Sequence, residues 1–426
     1  MNAVAQTLEN CPSDDESHSP GIHSPGAQVP DTPASWDERV LTEVSTVLFA
    51  SLRRRDQRLR GLAYLRGLLG AKGRRSIRNM AALLGGSATE QSLHHFVSDS
   101  TWDWVPVRRS LARHITQLDP PLAYVVRPMV IPKTGENSVG VDRQFVSELG
   151  QLVNAQQAVG VWAANERMSV PLNWRLHLSS SWLDDRIRRR QASIPDDLGD
   201  RTLGDSAVEA AVETASHWGL PRRPVVLDAR HMDLASTIAA FRAAGVPFLA
   251  RISGAVQLTV TDPGPQGRTP EIQQALQIMT AARDRMRPAP VPGRGAGNGR
   301  PMHLTTKIRV RPSPAVRQLA GPGELALLGV AESRRQGPVE LWLTDMTETR
   351  LPTLMRLSRL VRRADQDFRE TTDRLGIRDF TGRSYAGWHR HVTLASAAHA
   401  VSVLEADDPE PERPGRPRTG PDFTDR

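Results

Sequence analysis

The carboxylate of Asp228 follows a short run, PVVL at positions 224–227, in which two residues are β-branched. This pattern predicts a brief buried strand that ends at Asp228. Helical patterns at 207–218 and 234–244 flank the strand, and positions 246–252 predict the next strand. Open α/β sheets place their reactive groups at the C-terminal ends of strands, so Asp228 is a candidate for chemistry. A helix-capping aspartate would give the same pattern, and both interpretations stay open at this point.

A strongly basic segment lies between positions 53 and 78, where ten arginine and lysine residues are opposed by Asp56 alone. Apolar residues at helical spacing begin at Val40, which predicts that this region is helical. A solvated helix face is one interpretation, but so one-sided a distribution favours contact with phosphate groups. The residues expected to make this contact are Arg53, Arg54, Arg55, Arg74, Arg75 and Arg78.

Two short helical patterns, 76–84 and 89–97, are separated by a turn that contains two glycines. A short helix, a glycine-containing turn and a second helix with a hydroxyl cap are typical of a helix-turn-helix. The second helix offers few side chains that read bases beyond Gln91, His94 and His95. We therefore predict a helical, DNA-contacting region without an identified recognition element.

The composition limits the class of protein. The 426 residues are enough for two or three domains, and a hydrophobic fraction of 39% is ordinary for a protein with sizeable cores. Basic residues exceed acidic residues by 55 to 47, a formal charge of +8. No apolar run approaches the length of a membrane span, and no secretory signal is visible. Cys11 is the one cysteine, so the sequence predicts neither disulfides nor a thiolate metal site, and it favours the cytoplasm.

The order of the patterns predicts the fold class. Three strand-like segments joined by short turns precede the strand that ends at Asp228, which is the order of a ribonuclease-H-like mixed sheet. The predicted fold is α/β, with a helical N-terminal domain, this sheet, a β insertion and C-terminal helices. The predicted boundaries are a disordered tail at 1–35, a helical domain at 36–120, the first part of the core at 121–253, an insertion at 254–346 with a mobile loop at 288–301, closing helices at 347–406, and a disordered tail at 407–426.

Four segments together resemble a known family. They are SVGVDRQF followed by Asn154, Ala155 and Gln156, then SSWLDDRIRRRQASIP, then VVLDAR, and finally DFTGRSYAGWHRHVTLA at 379–395. Their order and spacing resemble bacterial insertion-sequence transposases of the insertion sequence 701 family, DDE enzymes related to the insertion sequence 4 group. The resemblance runs from about Arg60 to Leu404, and its most specific part is the Gly382–Arg383 and Trp388–His391 region.

The resemblance implies three carboxylates that hold two Mg²⁺ ions and cut DNA, and the sequence departs from this pattern. Arg127 stands where the family has its first catalytic aspartate. The second aspartate corresponds to Asp228, and the family's glutamate corresponds to Asp365. A guanidinium supplies no ligand and repels cations, so the resemblance implies remnant carboxylates without an expected cofactor, or Mg²⁺ at Asp228 and Asp365 if the protein is active.

Four further residues are expected near DNA, namely Lys133, Arg383, His389 and Arg390. His389 and His391 could be taken for a metal pair, but at positions i and i+2 of a helix they point in different directions. Packing or phosphate contact is therefore the favoured interpretation for His389, Arg390 and Arg383. Asp142, on a neighbouring strand, is a less favoured substitute for the missing metal ligand.

The sequence leads to one principal hypothesis and two alternatives. The principal hypothesis is a transposase-derived protein that binds double-stranded DNA, with a catalytic site impaired by Arg127. The first alternative is an active Mg²⁺-dependent transposase, and the second is a protein-interaction scaffold without nucleic acid. Family analogy implies a homodimer, and DNA binding implies a cytoplasmic protein associated with the nucleoid.

Overall fold

The computed structural model describes residues 36–146, 150–261, 271–290, 302–331 and 340–407. The tails predicted to be disordered lie outside these residues, apart from Asp407, which ends the last helix. The predicted mobile loop also lies outside them, except for residues 288–290, which belong to a strand. That part of the loop prediction is wrong, because residues 287–290 pair antiparallel with residues 302–305.

Between residue 36 and the sheet, five α-helices are described. Each carries apolar residues on an inward face, and Ser76 and Asp103 cap two of them with side-chain oxygens. The helices are α1 (Glu38–Leu48), α2 (Arg55–Gly70), α3 (Ile77–Leu84), α4 (Ser87–Ser98) and α5 (Trp104–Leu118). The turn between α3 and α4 uses Gly85 and Gly86, whose φ angles of 139° and 86° favour glycine. The predicted pair of helices is therefore present, but the predicted hydroxyl cap is wrong, because Gly86 is the N-cap of α4 and no described side chain caps the helix.

Strands and helices follow one another in the core in the predicted order. Its elements are β1 (Ala123–Pro132), β2 (Val141–Val146), β3 (Gln151–Ala164), β4 (Ser169–Leu176), α6 (Ser180–Leu183), α7 (Arg186–Gln191), α8 (Leu203–Val212), β5 (Val225–Asp228), α9 (Leu234–Ala243) and β6 (Phe248–Arg251). Strand β1 pairs antiparallel with β3 and parallel with β5, and β5 pairs parallel with β6. Strand β4 pairs with β3. An antiparallel meander that continues into parallel strands is the mixed sheet of a ribonuclease-H-like fold, so the predicted fold class is confirmed.

The insertion continues the same sheet. Its elements are β7 (Gln257–Val260), β8 (Ile272–Gln274), α10 (Ala275–Ala281), β9 (Arg287–Pro290), β10 (Met302–Pro312), α11 (Pro314–Ala320), β11 (Leu325–Ala331) and β12 (Glu340–Thr344). Strand β12 pairs with β6, which joins the insertion to the core. Within the insertion, α10 is a helix of only seven residues, and strands β8 and β9 lie on either side of it in the sequence.

Two long helices close the fold. Helix α12 (Leu351–Asp367) lies against β1, β5 and β6 and continues into a π-helical turn at Phe368–Thr372. Helix α13 (Tyr385–Asp407) packs against α1, α2, α4, α5 and β4. Because neighbours surround α13, almost every side chain from Trp388 to Val401 is buried. Among the described residues, no helix is both long and apolar enough to cross a membrane.

The guanidinium of Arg108 joins three of these elements. It is only 2% exposed and uses all five N–H groups. Nε donates to Thr393 Oγ1 at 2.7 Å, and Nη1 donates to Asn173 Oδ1 at 3.2 Å and to Trp174 O at 2.8 Å. Nη2 donates to His389 Nδ1 and to His389 O, both at 3.0 Å. Burial lowers the pKa of Arg108 to about 9, so the group stays charged at neutral pH and holds α5, β4 and α13 together.

We expect Arg108→Met to lower the free energy of unfolding by at least about 3 kcal/mol, because it leaves several buried acceptors without donors. Urea denaturation followed by circular dichroism measures this change. Arg113→Met is the matched control, since Arg113 is exposed on the same helix and should change stability by no more than about 0.5 kcal/mol. Equal stabilities for the two variants would contradict this role of Arg108.

His391 and His399 are buried on α13 as neutral imidazoles. Nε2 of His391 donates to Gly376 O at 2.9 Å, so its Nδ1 accepts from the Tyr64 hydroxyl. Nε2 of His399 donates to Ser169 O at 2.7 Å, and its Nδ1 accepts from Thr372 Oγ1. Burial lowers the pKa of each histidine to about 4, because a buried imidazolium would lose its hydration.

This burial predicts a pH dependence of stability. A histidine whose pKa is lower in the folded state binds fewer protons there than in the unfolded chain, where the pKa is about 6.5. The stabilisation is complete above pH about 6.5 and is lost as the pH falls towards 4, by up to about 1.4 kcal/mol per pH unit for each histidine. Urea midpoints measured between pH 7 and pH 4 should fall. The His391→Gln/His399→Gln variant should show a shallower fall, and an unchanged slope would refute the assignment.

Candidate functional site

The predicted site residues meet at one edge of the sheet. Asp228 and Arg251 are the last residues of β5 and β6 and lie opposite each other in the pairing of these strands. Glu340 begins β12, which runs antiparallel to β6, so it comes to the same edge. Strand β1 pairs with β5 at Tyr124–Val225 and Val125–Val226, and Arg127 follows this pairing by two positions, as Asp228 does on β5. Helix α12 crosses this edge and contributes Arg362 and Asp365, which lie one turn apart.

Arg127 forms an ion pair with Asp365. Nε of Arg127 lies 2.8 Å from Oδ1 of Asp365, and the Arg127 side chain is only 14% exposed. Its guanidinium carbon lies 3.7 Å from the centre of the Phe368 ring, so the cation also packs against an aromatic face. Burial lowers the pKa of Arg127, and the negative charge of Asp365 opposes this shift. The residue at the first predicted catalytic position is therefore bound to the residue at the third.

Asp228 is paired in a similar way. Nη2 of Arg230 lies 2.6 Å from Oδ2 of Asp228, and the backbone N–H of Arg230 donates to Oδ1 at 3.1 Å. Burial raises the pKa of Asp228, but the hydrogen bonds from Arg230 outweigh it, so the pKa lies below its ordinary value. The carboxylate is ionised at neutral pH and already has a cationic partner.

A third acidic residue completes the cluster. Glu340 Oε1 accepts from Arg362 Nη2 at 2.9 Å and lies 3.6 Å from Arg251 Nη2. The Glu340 side chain is 14% exposed, whereas that of Arg362 is 67% exposed. We call this cluster the arginine cleft, and its members are Arg127, Arg230, Arg251, Arg362, Asp228, Asp365 and Glu340.

The arginine cleft does not fit the pair of Mg²⁺ ions that the family resemblance implies. Magnesium needs carboxylate oxygens, and in the cleft Asp228 and Asp365 are each bound to a guanidinium. Across the described ranges, no three His, Cys, Asp or Glu side chains group so that they could hold a metal ion. Asp142 lies on β2, which β3 separates from β1, and its carboxylate accepts from Ser179 and Ser181 at 2.6 and 2.7 Å. It is therefore not placed to replace the missing ligand.

The basic residues near the N-terminus form two groups rather than one helix face. Arg53, Arg54 and Arg55 are exposed at the start of α2, where Arg54 pairs with Asp56 at 2.9 Å. Arg74 and Arg78 are exposed after its end. The 16 residues of α2, at about 1.5 Å each, separate the groups by roughly 24 Å.

Arg75 differs from its neighbours in this basic segment. Its side chain is half-buried, and Nε donates to Leu68 O at 3.1 Å. Its backbone N–H donates to Asp379 Oδ2 at 2.6 Å, which ties the turn between α2 and α3 to the segment before α13. Arg75 therefore has a structural role, which the expectation of phosphate contact did not include.

The remaining predicted DNA contacts are mostly turned inward. His389 is 2% exposed and Arg390 is 6% exposed, and Arg390 donates to Trp102 O and Val97 O. Burial lowers the pKa of His389 well below its ordinary value. Packing, not phosphate contact, describes these two residues, because both are enclosed by protein.

Lys133 and Arg383 are partly accessible. Lys133 Nζ donates to Phe380 O at 2.6 Å and to Arg378 O at 3.2 Å, and burial lowers its pKa to about 8. Arg383 is exposed and lines a cavity with Trp182 and Arg188. Of this group, Arg383 alone has a side chain that is not already bound in the structure's described hydrogen bonds.

Sequence reasoning did not assign Arg230, Arg251 and Glu340 to the site. Arg230 had a local signal, because it lies only two positions after Asp228 in the sequence. Arg251 and Glu340 had no local signal in the sequence, because they come close together only through the pairing of β6 with β12.

Comparison with known proteins agrees with this architecture. The family model described as DDE superfamily endonuclease matches residues 47–287, which is 241 of the 426 residues. The matched segment contains Arg127 and Asp228, and Asp365 follows it. No curated protein matches this chain in sequence. With more than half of the chain matched and a ribonuclease-H-like sheet in place, the protein belongs to the DDE superfamily endonuclease family.

Proposed function

We propose that this chain is a transposase-derived protein that binds double-stranded DNA and does not cut it. The observation that carries the proposal is the ion pair of 2.8 Å between Arg127 and Asp365. Two-metal cleavage of DNA requires carboxylates free to share two cations, which activate a nucleophile and stabilise the leaving oxygen. A guanidinium at the first position supplies no ligand and occupies the third carboxylate.

The two exposed basic groups at either end of α2 support the DNA-binding part of the proposal. Phosphate contacts by arginine and lysine dominate the affinity of proteins for duplex DNA. We assign the helical segment 36–120 to this contact, with Arg53, Arg54, Arg55, Arg74 and Arg78 as its exposed cations. Helix α4, which follows the glycine-containing turn, adds exposed Gln91, His94 and His95.

The finer family placement is part of the same proposal. The motif order supports descent from transposases of the insertion sequence 701 family, with Asp228 and Asp365 as remnants of the metal site. A homodimer on paired DNA ends and association with the nucleoid follow from this descent by analogy. Loss of cleavage with retention of the fold suits a regulator or accessory factor at such ends.

We expect the protein to retard duplex DNA that carries the ends flanking its gene and to leave both strands intact in Mg²⁺ or Mn²⁺. The logarithm of the binding constant should fall linearly with the logarithm of salt concentration, because cations are displaced from phosphates. Gel retardation measures binding and its salt dependence. A strand-nicking assay on the same reactions measures cleavage. Cleavage by the wild type that disappears in Asp228→Ala would instead show an active enzyme.

Substitution of the arginines that bind Asp228 and Asp365 should allow the arginine cleft to bind metal. We expect Arg127→Asp/Arg230→Gln to bind Mn²⁺, detected by loss of the free-ion electron paramagnetic resonance signal, because it frees Asp228 and Asp365 and adds a third carboxylate. The wild type should leave that signal unchanged. Arg113→Asp/Arg356→Gln makes the same charge change outside the arginine cleft and serves as the control. Tight Mn²⁺ binding by the wild type would contradict the proposal.

A further inference from the structure

The arginine cleft carries its own positive charge. Four arginines contribute +4 and Asp228, Asp365 and Glu340 contribute −3, which leaves +1. A site with three carboxylates and two divalent cations also has a net charge of −3 + 4 = +1. The cleft therefore offers an anion the same net charge as a metal-loaded site, without a metal.

We propose that the arginine cleft binds the phosphodiester backbone of DNA directly, with guanidinium groups in the position of the metal ions. This inference rests on the proposed function, because it names a second place where the DNA is held. Guanidinium groups suit this task, since their planar fork matches the oxygens of a phosphate and they stay charged at neutral pH.

The four arginines have different parts in this site. The Arg362 and Arg230 side chains are 67% and 42% exposed, and each is held at one side by a carboxylate. Each guanidinium has five N–H groups, so both retain donors that can reach a phosphate from solvent. Arg127 is largely enclosed between Asp365 and Phe368, and it acts by neutralising Asp365.

The carboxylates position the exposed arginines. Glu340 Oε1 holds Arg362 from α12 and lies 3.6 Å from Arg251 on β6, and Asp228 fixes Arg230 beside the end of β5. Arginines anchored in this way lose less side-chain freedom when they bind a phosphate. The cleft should therefore bind DNA in the absence of divalent metal.

The experiment compares full-length wild type with Arg230→Gln/Arg362→Gln, using fluorescence anisotropy with the duplex that carries the flanking ends. Binding is measured in EDTA and in magnesium chloride at matched ionic strength. Arg113→Gln/Arg356→Gln is the control, because both residues are exposed arginines outside the cleft and the charge change is the same.

We expect the wild type to bind in EDTA at least as tightly as in magnesium chloride. The cleft variant should lose about tenfold or more in affinity, and its salt slope should fall by about two, one for each phosphate contact removed. The control should lose no more than about twofold. If the cleft variant does not fold, Arg362→Gln alone replaces it, since that side chain is 67% exposed.

The outcomes separate the two proposals. Wild type that binds no duplex overturns the proposed function and this inference together. Wild type that binds while the cleft and control variants weaken equally overturns only this inference, and so does binding that is lost in EDTA.

A tethered probe gives a second readout that does not depend on affinity. Cys11 is the one cysteine, so Cys11→Ser/Gln366→Cys carries a single thiol one turn from Arg362 on the exposed side of α12. Iron-EDTA attached there should cut bound DNA at a defined position. Bound DNA that stays uncut would overturn the inference.

Discussion

The five hydrogen bonds of Arg108 are the interaction on which the arrangement of the fold depends. They join helix α5 of the N-terminal region to the edge strand β4 and to α13. Because no carboxylate lies within ion-pair distance of Arg108 in the described structure, carbonyl, hydroxyl, amide and imidazole acceptors carry the charge. Nη2 can only donate, so Nδ1 of His389 accepts and its proton lies on Nε2. A buried cation on α5 that needs five acceptors from two other elements, β4 and α13, specifies a single way to assemble the three.

In the arginine cleft, on the same sheet, guanidinium groups offset the repulsion between carboxylates. The edge where β1, β5 and β6 meet α12 gathers acidic residues, and uncompensated carboxylates at close range would repel one another. At a two-metal site, divalent cations from solution supply the compensation. Here side chains supply it, which stabilises the edge permanently and takes the carboxylates away from metal coordination. The same substitution therefore explains both a stable cleft and the proposed loss of cleavage.

Particular residues show how far sequence reasoning reaches. The strand that ends at Asp228 was predicted because consecutive apolar residues next to a proline define a short buried strand without tertiary information. The placement of Arg127 followed from the motif order, since β1 begins the meander. For His389 and Arg390 the sequence left packing and phosphate contact as alternatives, because a helix surrounded on all sides has no polar face that marks its orientation. The two separated basic groups were predicted as one because the length of α2 between them was unknown.

The sequence alone determined the fold class, the presence of arginine at position 127 and the excess of arginine near the N-terminus. These are properties of local pattern and residue identity, which do not depend on how distant segments meet. Tertiary structure alone decided which arginine neutralises which carboxylate. Arg127 and Asp365 are 238 positions apart, and Arg362 meets Glu340 from a different element. Long flexible side chains can pair with many partners, and only the packing of α12 across the ends of β1, β5 and β6 selects one.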